Sequence, residues 1–234
     1  MQISSLQTNR YQNISQQQTN KLQQKLSSGY KINSAADGAA DLAIAQKQVE
    51  EMNRQLDMAD NEKSEQLMSN VADGAYSGMS DIMMDMYSNS IRAESSLLSE
   101  SDRQAIYDNM SALQEGLNSL ASNTTFNETK VVDDELIENV NSQIDSGSID
   151  KAMDALNSER SKNGAKANGL EHSINARLIA AENMASANSR TMDTEYGSVT
   201  SAYKTNQTLN TYQNMMQKQS SDNQSAFISG MLQV

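Results

Sequence analysis

The chain has 234 residues, 37% of them hydrophobic and only 4% aromatic, with no cysteine, proline or tryptophan. Its net charge of −12 disfavours binding to nucleic acid or to anionic lipid. The lack of cysteine excludes disulfides and thiol chemistry. So few apolar side chains suit narrow stripes along helices better than a deep core, and the absence of proline permits long helices.

The amino-terminal segment, residues 1–34, is rich in Gln, Asn and Ser and ends in a predicted break at Ser27-Ser28-Gly29. The first residues lack the basic region followed by an apolar run that is typical of a cleaved secretory signal. No segment approaches the roughly 18 apolar residues of a membrane span. We therefore expect no signal peptide and no membrane insertion. Thin apolar markers occur at Ile3, Leu6, Ile14, Leu22 and Leu26.

A long helix is predicted from Ala35 to about Leu98, with Ser34 as its N-cap and Asp37 complementing the helix dipole. Apolar residues recur there at spacings of three and four, in two runs that are out of phase with each other. The first run is Val49, Met52, Leu56 and Ala59, and the second is Met68, Val71, Ala75, Met79, Ile82 and Met86.

A second helix is predicted from about Ser101, where Ser101-Asp102-Arg103-Gln104 fits a capping box. Residues 123–127 end it, and a short loop or residual hairpin follows to about Gly147. The fragment 130–132 is the only strand-like one. The helix carries the most regular apolar seam of the sequence, formed by Ile106, Met110, Leu113, Leu117 and Leu120.

A third long helix is predicted from about Ser148, and from about Arg190 the chain turns polar again. Both ends of the chain are weakly amphipathic and too poor in apolar residues to fold alone. We expect them to order only against each other and against further copies. The apolar markers of the carboxy-terminal end are Val199, Tyr203, Leu209, Tyr212, Met215, Met216, Ile228, Met231 and Leu232.

Three sequence motifs resemble the signatures of bacterial flagellins. The stretch KLSSGYKINSAADGAADLAIA, residues 25–45, is similar to the family's amino-terminal signature. Segments within 170–194 are similar to its carboxy-terminal signature. Thr124-Thr125-Phe126-Asn127, with residues 130–132, resembles the turn that the family writes TxFNGxKVL. Together these motifs cover most of the chain in the family's order.

The resemblance implies an all-α fold, a long antiparallel helical rod with paired terminal helices and little or no β-hairpin. Residues 1–40 and 190–234 would form a terminal coiled coil in a filament interior, and residues 41–189 the helical rod. The subunit would leave the cell unfolded through the flagellar type III apparatus. Its partners would be its own copies, a filament cap, hook-associated junction proteins and an export chaperone. The variable outer domains of the family are expected to be absent, because few residues separate 132 from 148.

The apolar residues of the two ends are the candidate self-assembly interface. Their burial between copies along a non-closing contact would generate a helical fibre. The candidates are Ile3, Leu6, Leu22, Leu26, Ile32, Leu209, Tyr212, Met215, Met216, Ile228, Met231 and Leu232.

Residues 79–88 match the stretch that the toll-like receptor for flagellin recognises in many family members. The resemblance places arginines and a glutamate where this chain has Asp81, Met83 and Met84. We therefore expect weak or absent receptor recognition.

Catalysis finds no support in the sequence, and no cofactor or metal is predicted. The single histidine, His172, has no metal-binding neighbourhood. Two other functions remain open: a hook–filament junction protein of the same family, and an exported effector or adhesin with flagellin-like ends.

Overall fold

The computed structural model describes residues 2–133, 136, 138 and 145–231, and side chains within them from 10 to 229. Long helices make up nearly all of this part: α1 Gln2–Ser28, α2 Ala35–Ala93, α3 Glu100–Asn123, α4 Ser146–Met192 and α5 Tyr196–Met231. One antiparallel hairpin joins β1 Thr125–Phe126 to β2 Thr129–Lys130. The predicted all-α class with little β structure is confirmed.

The chain divides into two compact units. The terminal unit comprises residues 1–52 and 182–234, and the central unit comprises residues 53–181. The predicted terminal and rod domains, with boundaries near 40 and 190, remain a prediction.

The core of the central unit is built from α2, α3 and α4. The predicted α3 seam is confirmed: Met110 and Leu117 are fully buried, and the other three members pack against the same core. Methionine, flexible and polarisable, fills the irregular space between the long helices. The largest fully buried side chains are Met79, Met83, Met86, Met110, Leu117, Ile149 and Leu156.

Polar pairs tie α2 to α4 within the central unit in an antiparallel arrangement. Ser69 donates from Oγ to Asn163 Oδ1 over 2.6 Å, and Asn163 Nδ2 donates back to the carbonyl of Ser69 over 2.8 Å. Arg177 Nε lies 2.8 Å from Glu62 Oε1. Burial acts to raise the pKa of Glu62, but hydrogen bonds from Arg177 and Ser173 outweigh it and lower the pKa. These pairs fix the register of the two helices.

One predicted N-cap and one predicted helix end are wrong. The second helix was expected to start near a Ser101 capping box, but α3 begins at Glu100 with Ser99 as its N-cap. The Oγ of Ser99 accepts from the Asp102 backbone over 3.2 Å. The long helix was expected to continue to about Leu98, but α2 ends at Ala93. The Arg103 guanidinium donates to the Ala93 carbonyl over 2.5 Å and thereby caps this end.

Carboxylates hold the start of two other helices. Helix α2 begins directly after Ser34, as predicted, and the Asp37 carboxylate accepts from Ser34 Oγ at 2.9 Å and Ser34 N at 3.0 Å. Both bonds lower the pKa of Asp37, and the bond from the Ser34 hydroxyl has the largest effect. Helix α4 begins two residues before the predicted Ser148. The backbone N–H of Ser148 donates to Asp145 Oδ1 over 2.9 Å, and this bond lowers the pKa of Asp145.

The hairpin occupies the predicted TxFN turn. Thr125 pairs with Lys130 and Phe126 with Thr129, so the connection consists of two residues. Both of them have positive φ, 49° at Asn127 and 65° at Glu128. Two-residue turns of this kind favour Asn-Gly, because glycine reaches positive φ without steric cost. Glu128 therefore carries backbone strain.

Candidate assembly interface

A short backbone junction brings the two terminal helices side by side. Tyr30, just after α1, forms an antiparallel bridge with Asp193, which lies between α4 and α5. The N–H of Thr194 donates to the carbonyl of Gly29 over 2.8 Å. Gly29 has φ 78°, and a Cβ added there would lie 3.2 Å from Tyr196 Oη. The predicted break at Gly29 is thus where the segment after α1 pairs with the segment between α4 and α5.

Helices α1 and α5 contact each other through a face that is largely polar. Thr19 Oγ1 donates to the Ser15 carbonyl over 2.9 Å and accepts from Asn210 Nδ2 over 3.1 Å. Gln12 Nε2 donates to Asn214 Oδ1. Ser15 and Thr19 are among the buried polar residues of the chain. We call this face the polar seam; its members are Gln12, Ser15, Thr19, Asn206, Asn210, Gln213 and Asn214.

Several large apolar residues of α5 are exposed on a face other than that of the polar seam. Tyr212 is 57% exposed and Met216 49% exposed. One residue turns an α-helix by about 100°, so spacings of three, four and eleven place residues on one face. Four exposed residues follow this spacing and form a continuous surface that we call the outer stripe. They are Leu209, Tyr212, Met216 and Phe227.

The structure sorts the predicted interface residues into two groups. Ile32 is buried and Leu22 and Leu26 are half-buried within the chain, where they act in its own fold. The exposed group comprises Leu209, Tyr212, Met215, Met216 and Ile228. Ile3, Leu6 and Met231 lie on the terminal helices, but their side chains are outside the described residues, as is Leu232 altogether.

Sequence reasoning missed Phe227, which is 65% exposed and belongs to the outer stripe. Its spacing of eleven from Met216 was a usable signal, because eleven residues make about three helical turns. Tyr11 was missed too; it is exposed on α1, as is Ile14.

The terminal helices are basic although the chain is acidic. Helix α1 contains three basic residues and no acidic one, and α5 contains two basic residues and one acidic. Their combined net charge is therefore +4, whereas the whole chain carries −12. The average charge used at the sequence level hid this segregation. Copies that bring these helices together must overcome mutual repulsion, which salt screens.

The three residues of the altered receptor motif differ in exposure. Met83 is fully buried in the central core, whereas Met84 is 49% exposed and Asp81 is exposed. A receptor approaching this face of α2 can therefore touch Asp81 and Met84 but not Met83.

No metal-binding cluster of three or more His, Cys, Asp or Glu side chains occurs among the described residues. Within that same part of the chain, no helix is long and apolar enough to cross a bilayer.

Fold and site together define a class of all-α chain whose terminal helices are paired and whose last helix presents an unpartnered apolar face. Residues 1–136 match the family model described as the bacterial flagellin N-terminal helical region. That match covers more than half of the chain. The chain belongs to the flagellin family.

Curated relatives agree with this assignment. The chain is 36% identical over 131 residues to Flagellin B of Vibrio anguillarum, covering 56% of this chain and 35% of the relative. It is 31% identical over 177 residues to Polar flagellin A of Vibrio parahaemolyticus, covering 74% and 47% respectively. It is 28% identical over 230 residues to a flagellin of Halalkalibacterium halodurans, covering 82% and 84%. The chain thus spans less than half the length of the two Vibrio relatives.

Proposed function

We propose that this chain is a structural subunit of a bacterial flagellar filament, assembled from its own copies outside the cell. The observation that carries this function is the outer stripe, which leaves four large apolar side chains in water on a helix that already has a partner. Contiguous exposed apolar surface of this kind marks interaction sites. Flagellins form a structural protein family, which fits a non-catalytic role.

The occupant of the outer stripe is a second copy of this chain. A patch on one copy that docks on a different patch of the next generates an open helical polymer. Residues 1–40 and 190–234 form the inner layer of the filament and residues 41–189 its rod layer. The variable outer domains are absent and the filament is correspondingly thin. Export through the flagellar type III apparatus, an export chaperone, a filament cap and hook-associated junction proteins complete the assembly route.

Seeded polymerisation of the purified chain tests this function. Sheared filaments are added to monomer, and growth is followed by sedimentation and negative-stain electron microscopy. Filaments of regular diameter are expected. Tyr212→Asp with Met216→Asp should stop growth, because a carboxylate buried without a partner is costly. The matched control, Thr208→Asp with Thr211→Asp, adds the same charge to another exposed face of α5 and should leave growth intact.

Two alternative functions give different results. A hook–filament junction protein would bind the ends of existing filaments without elongating them. An exported effector or adhesin would remain monomeric with and without seeds. Either outcome would contradict the subunit proposal.

Weak receptor recognition is part of the proposal, because Asp81 and Met84 occupy exposed positions where the family motif has basic and acidic residues respectively. A reporter-cell assay for the toll-like receptor should show little activation by the monomer. Strong activation at low concentration would refute it. Asp81→Arg should raise the signal if this charge reversal is responsible.

A further inference from the structure

The polar seam uses hydroxyl and amide groups where a helix pair usually uses apolar side chains. Apolar residues are available next to it, since Leu209 immediately precedes Asn210 in α5. Yet it is Asn210 that bonds to Thr19 Oγ1 on α1, whereas Leu209 remains 47% exposed. The polar seam therefore does not maximise apolar burial within the chain.

The polar seam is also stabilised only weakly. A hydrogen bond inside a folded protein contributes roughly 0.5–1.5 kcal/mol net, because it replaces bonds to water. Asn210 Oδ1 and Gln213 Oε1 are buried and have no hydrogen-bond partner within the described part of the chain. Such groups lower stability. Polar groups buried between helices can nevertheless select one register, because other registers leave them unpaired.

We infer that Thr19 and Asn210 are specificity-determining residues that fix the register and facing of α5 on α1. Thr19 Oγ1 is fixed on α1 by its own bond to the Ser15 carbonyl, so it accepts from α5 at one position only. The Gln12–Asn214 bond repeats the constraint one turn further along α5. In this facing the outer stripe stays free for the next copy. The inference rests on the proposed function only for its assembly readout.

The competing arrangement turns α5 by about one residue, or about 100°. Leu209 and its stripe neighbours would then lie on α1, and the surface available to a second copy would be lost. The α1 face opposes this, because Gln12, Ser15 and Thr19 would be buried against apolar side chains that cannot bond to them.

Disulfide mapping tests the register directly, because the chain has no cysteine of its own. Gln12→Cys with Asn214→Cys reports the observed register, since these side chains are bonded. Gln12→Cys with Gln213→Cys reports the competing facing, in which α5 is turned by about one residue. In an otherwise unchanged chain the first pair should form a disulfide at least tenfold faster than the second. With Thr19→Val and Asn210→Leu added, the two rates should agree within about threefold.

Assembly provides the second readout, measured without the cysteines. Thr19→Val with Asn210→Leu should raise the critical concentration for filament growth at least tenfold, while the midpoint of thermal unfolding stays the same or rises. Thr19→Ser keeps the hydroxyl and should assemble normally. A retained register preference in the Val/Leu variant, or a falling thermal midpoint with unchanged register, would overturn the inference. Failure of the unmodified chain to polymerise would instead refute the proposed function, and the disulfide test would remain readable.

Discussion

Truncating two residues of the outer stripe should weaken assembly by a calculable amount. Full burial of a large apolar side chain contributes about 1.5–3 kcal/mol. Met216 leaves 49% and Phe227 65% of its surface in water, so burial by a second copy can contribute about 1 and about 1.5 kcal/mol. The two lie eleven residues apart, about 16 Å along the helix, so their effects should add.

Met216→Ala is therefore expected to raise the critical concentration of seeded growth about fivefold, because 1.4 kcal/mol corresponds to a factor of ten. Adding Phe227→Ala should bring the increase to about fiftyfold. The concentration is measured as the monomer left in the supernatant after filaments are sedimented at steady state. Circular dichroism of the monomer should be unchanged, since both side chains are exposed.

Thr211→Ala is the control, because Thr211 is exposed on another face of the same helix. Met215→Ala, measured in parallel, shows whether the predicted residue outside the outer stripe also meets a neighbour. Normal growth of the Met216→Ala, Phe227→Ala variant would refute the argument, as would an equal effect of Thr211→Ala.

Four further predictions concern stability and charge. Arg177→Ala should lower the free energy of unfolding of the central unit, measured in urea, by about 2 kcal/mol. This is less than the loss of about 3–5 kcal/mol that is typical when a fully buried ion pair is broken, because the Arg177 side chain is 26% exposed. Arg160→Ala, which removes a solvent-exposed ion pair with Asp73, should have little effect on the free energy of unfolding in the same assay. Glu128→Gly should stabilise the chain by about 1 kcal/mol in the same assay by relieving positive φ, and a loss of stability would contradict this. Asp37→Ala should lower the thermal midpoint at pH 7, and the difference from wild type should shrink as the pH falls below 3.8. A carboxylate whose pKa is lowered by folding stabilises the fold fully above its ordinary pKa, and this contribution is lost as the pH falls through the lowered pKa. Raising salt from 50 to 300 mM, about the range over which exposed charges are screened, should lower the critical concentration; the opposite trend would contradict repulsion between basic terminal helices.

The sequence predicts the structure correctly where apolar residues recur with a strong helical periodicity. The α3 seam repeats every three or four residues, and two of its five members, Met110 and Leu117, are fully buried. The helix ends were harder to predict for two different reasons. Ser99 and Ser101 both offer N-caps, and only Ser99 has an acidic residue, Asp102, three positions later. The end of α2 depends on Arg103, ten residues away along the chain from Ala93, and no local pattern reports such a contact.

The sequence identifies apolar residues of the terminal helices, but it does not show which of them share one exposed surface. Leu22 and Met216 look alike in the sequence, since both are apolar residues in a largely polar helix. Periodicity gives the face of each helix, but it does not tell which of two weak faces meets the partner. In the structure Leu22 is half-buried within the chain and Met216 lies on the outer stripe. Thr19 and Asn210 could not be singled out either, because the ends contain many hydroxyl and amide residues that face water.

The weakness of the α1–α5 pair and the exposure of the outer stripe have the same cause. Polar residues lie in the contact between the two helices, and the apolar residues of the outer stripe lie outside it. Had Leu209 and Met216 faced α1, the pair would be stronger, but no apolar surface would remain on α5 for a neighbouring copy. By placing Thr19, Asn210 and their neighbours in the contact, the chain keeps its apolar side chains for association between subunits. Under the proposed function, the pair would be only marginally stable in the monomer and would gain most of its stability from the polymer, where every copy repeats the same burial. The proposed export of the subunit in unfolded form, followed by ordering in the filament, requires this dependence.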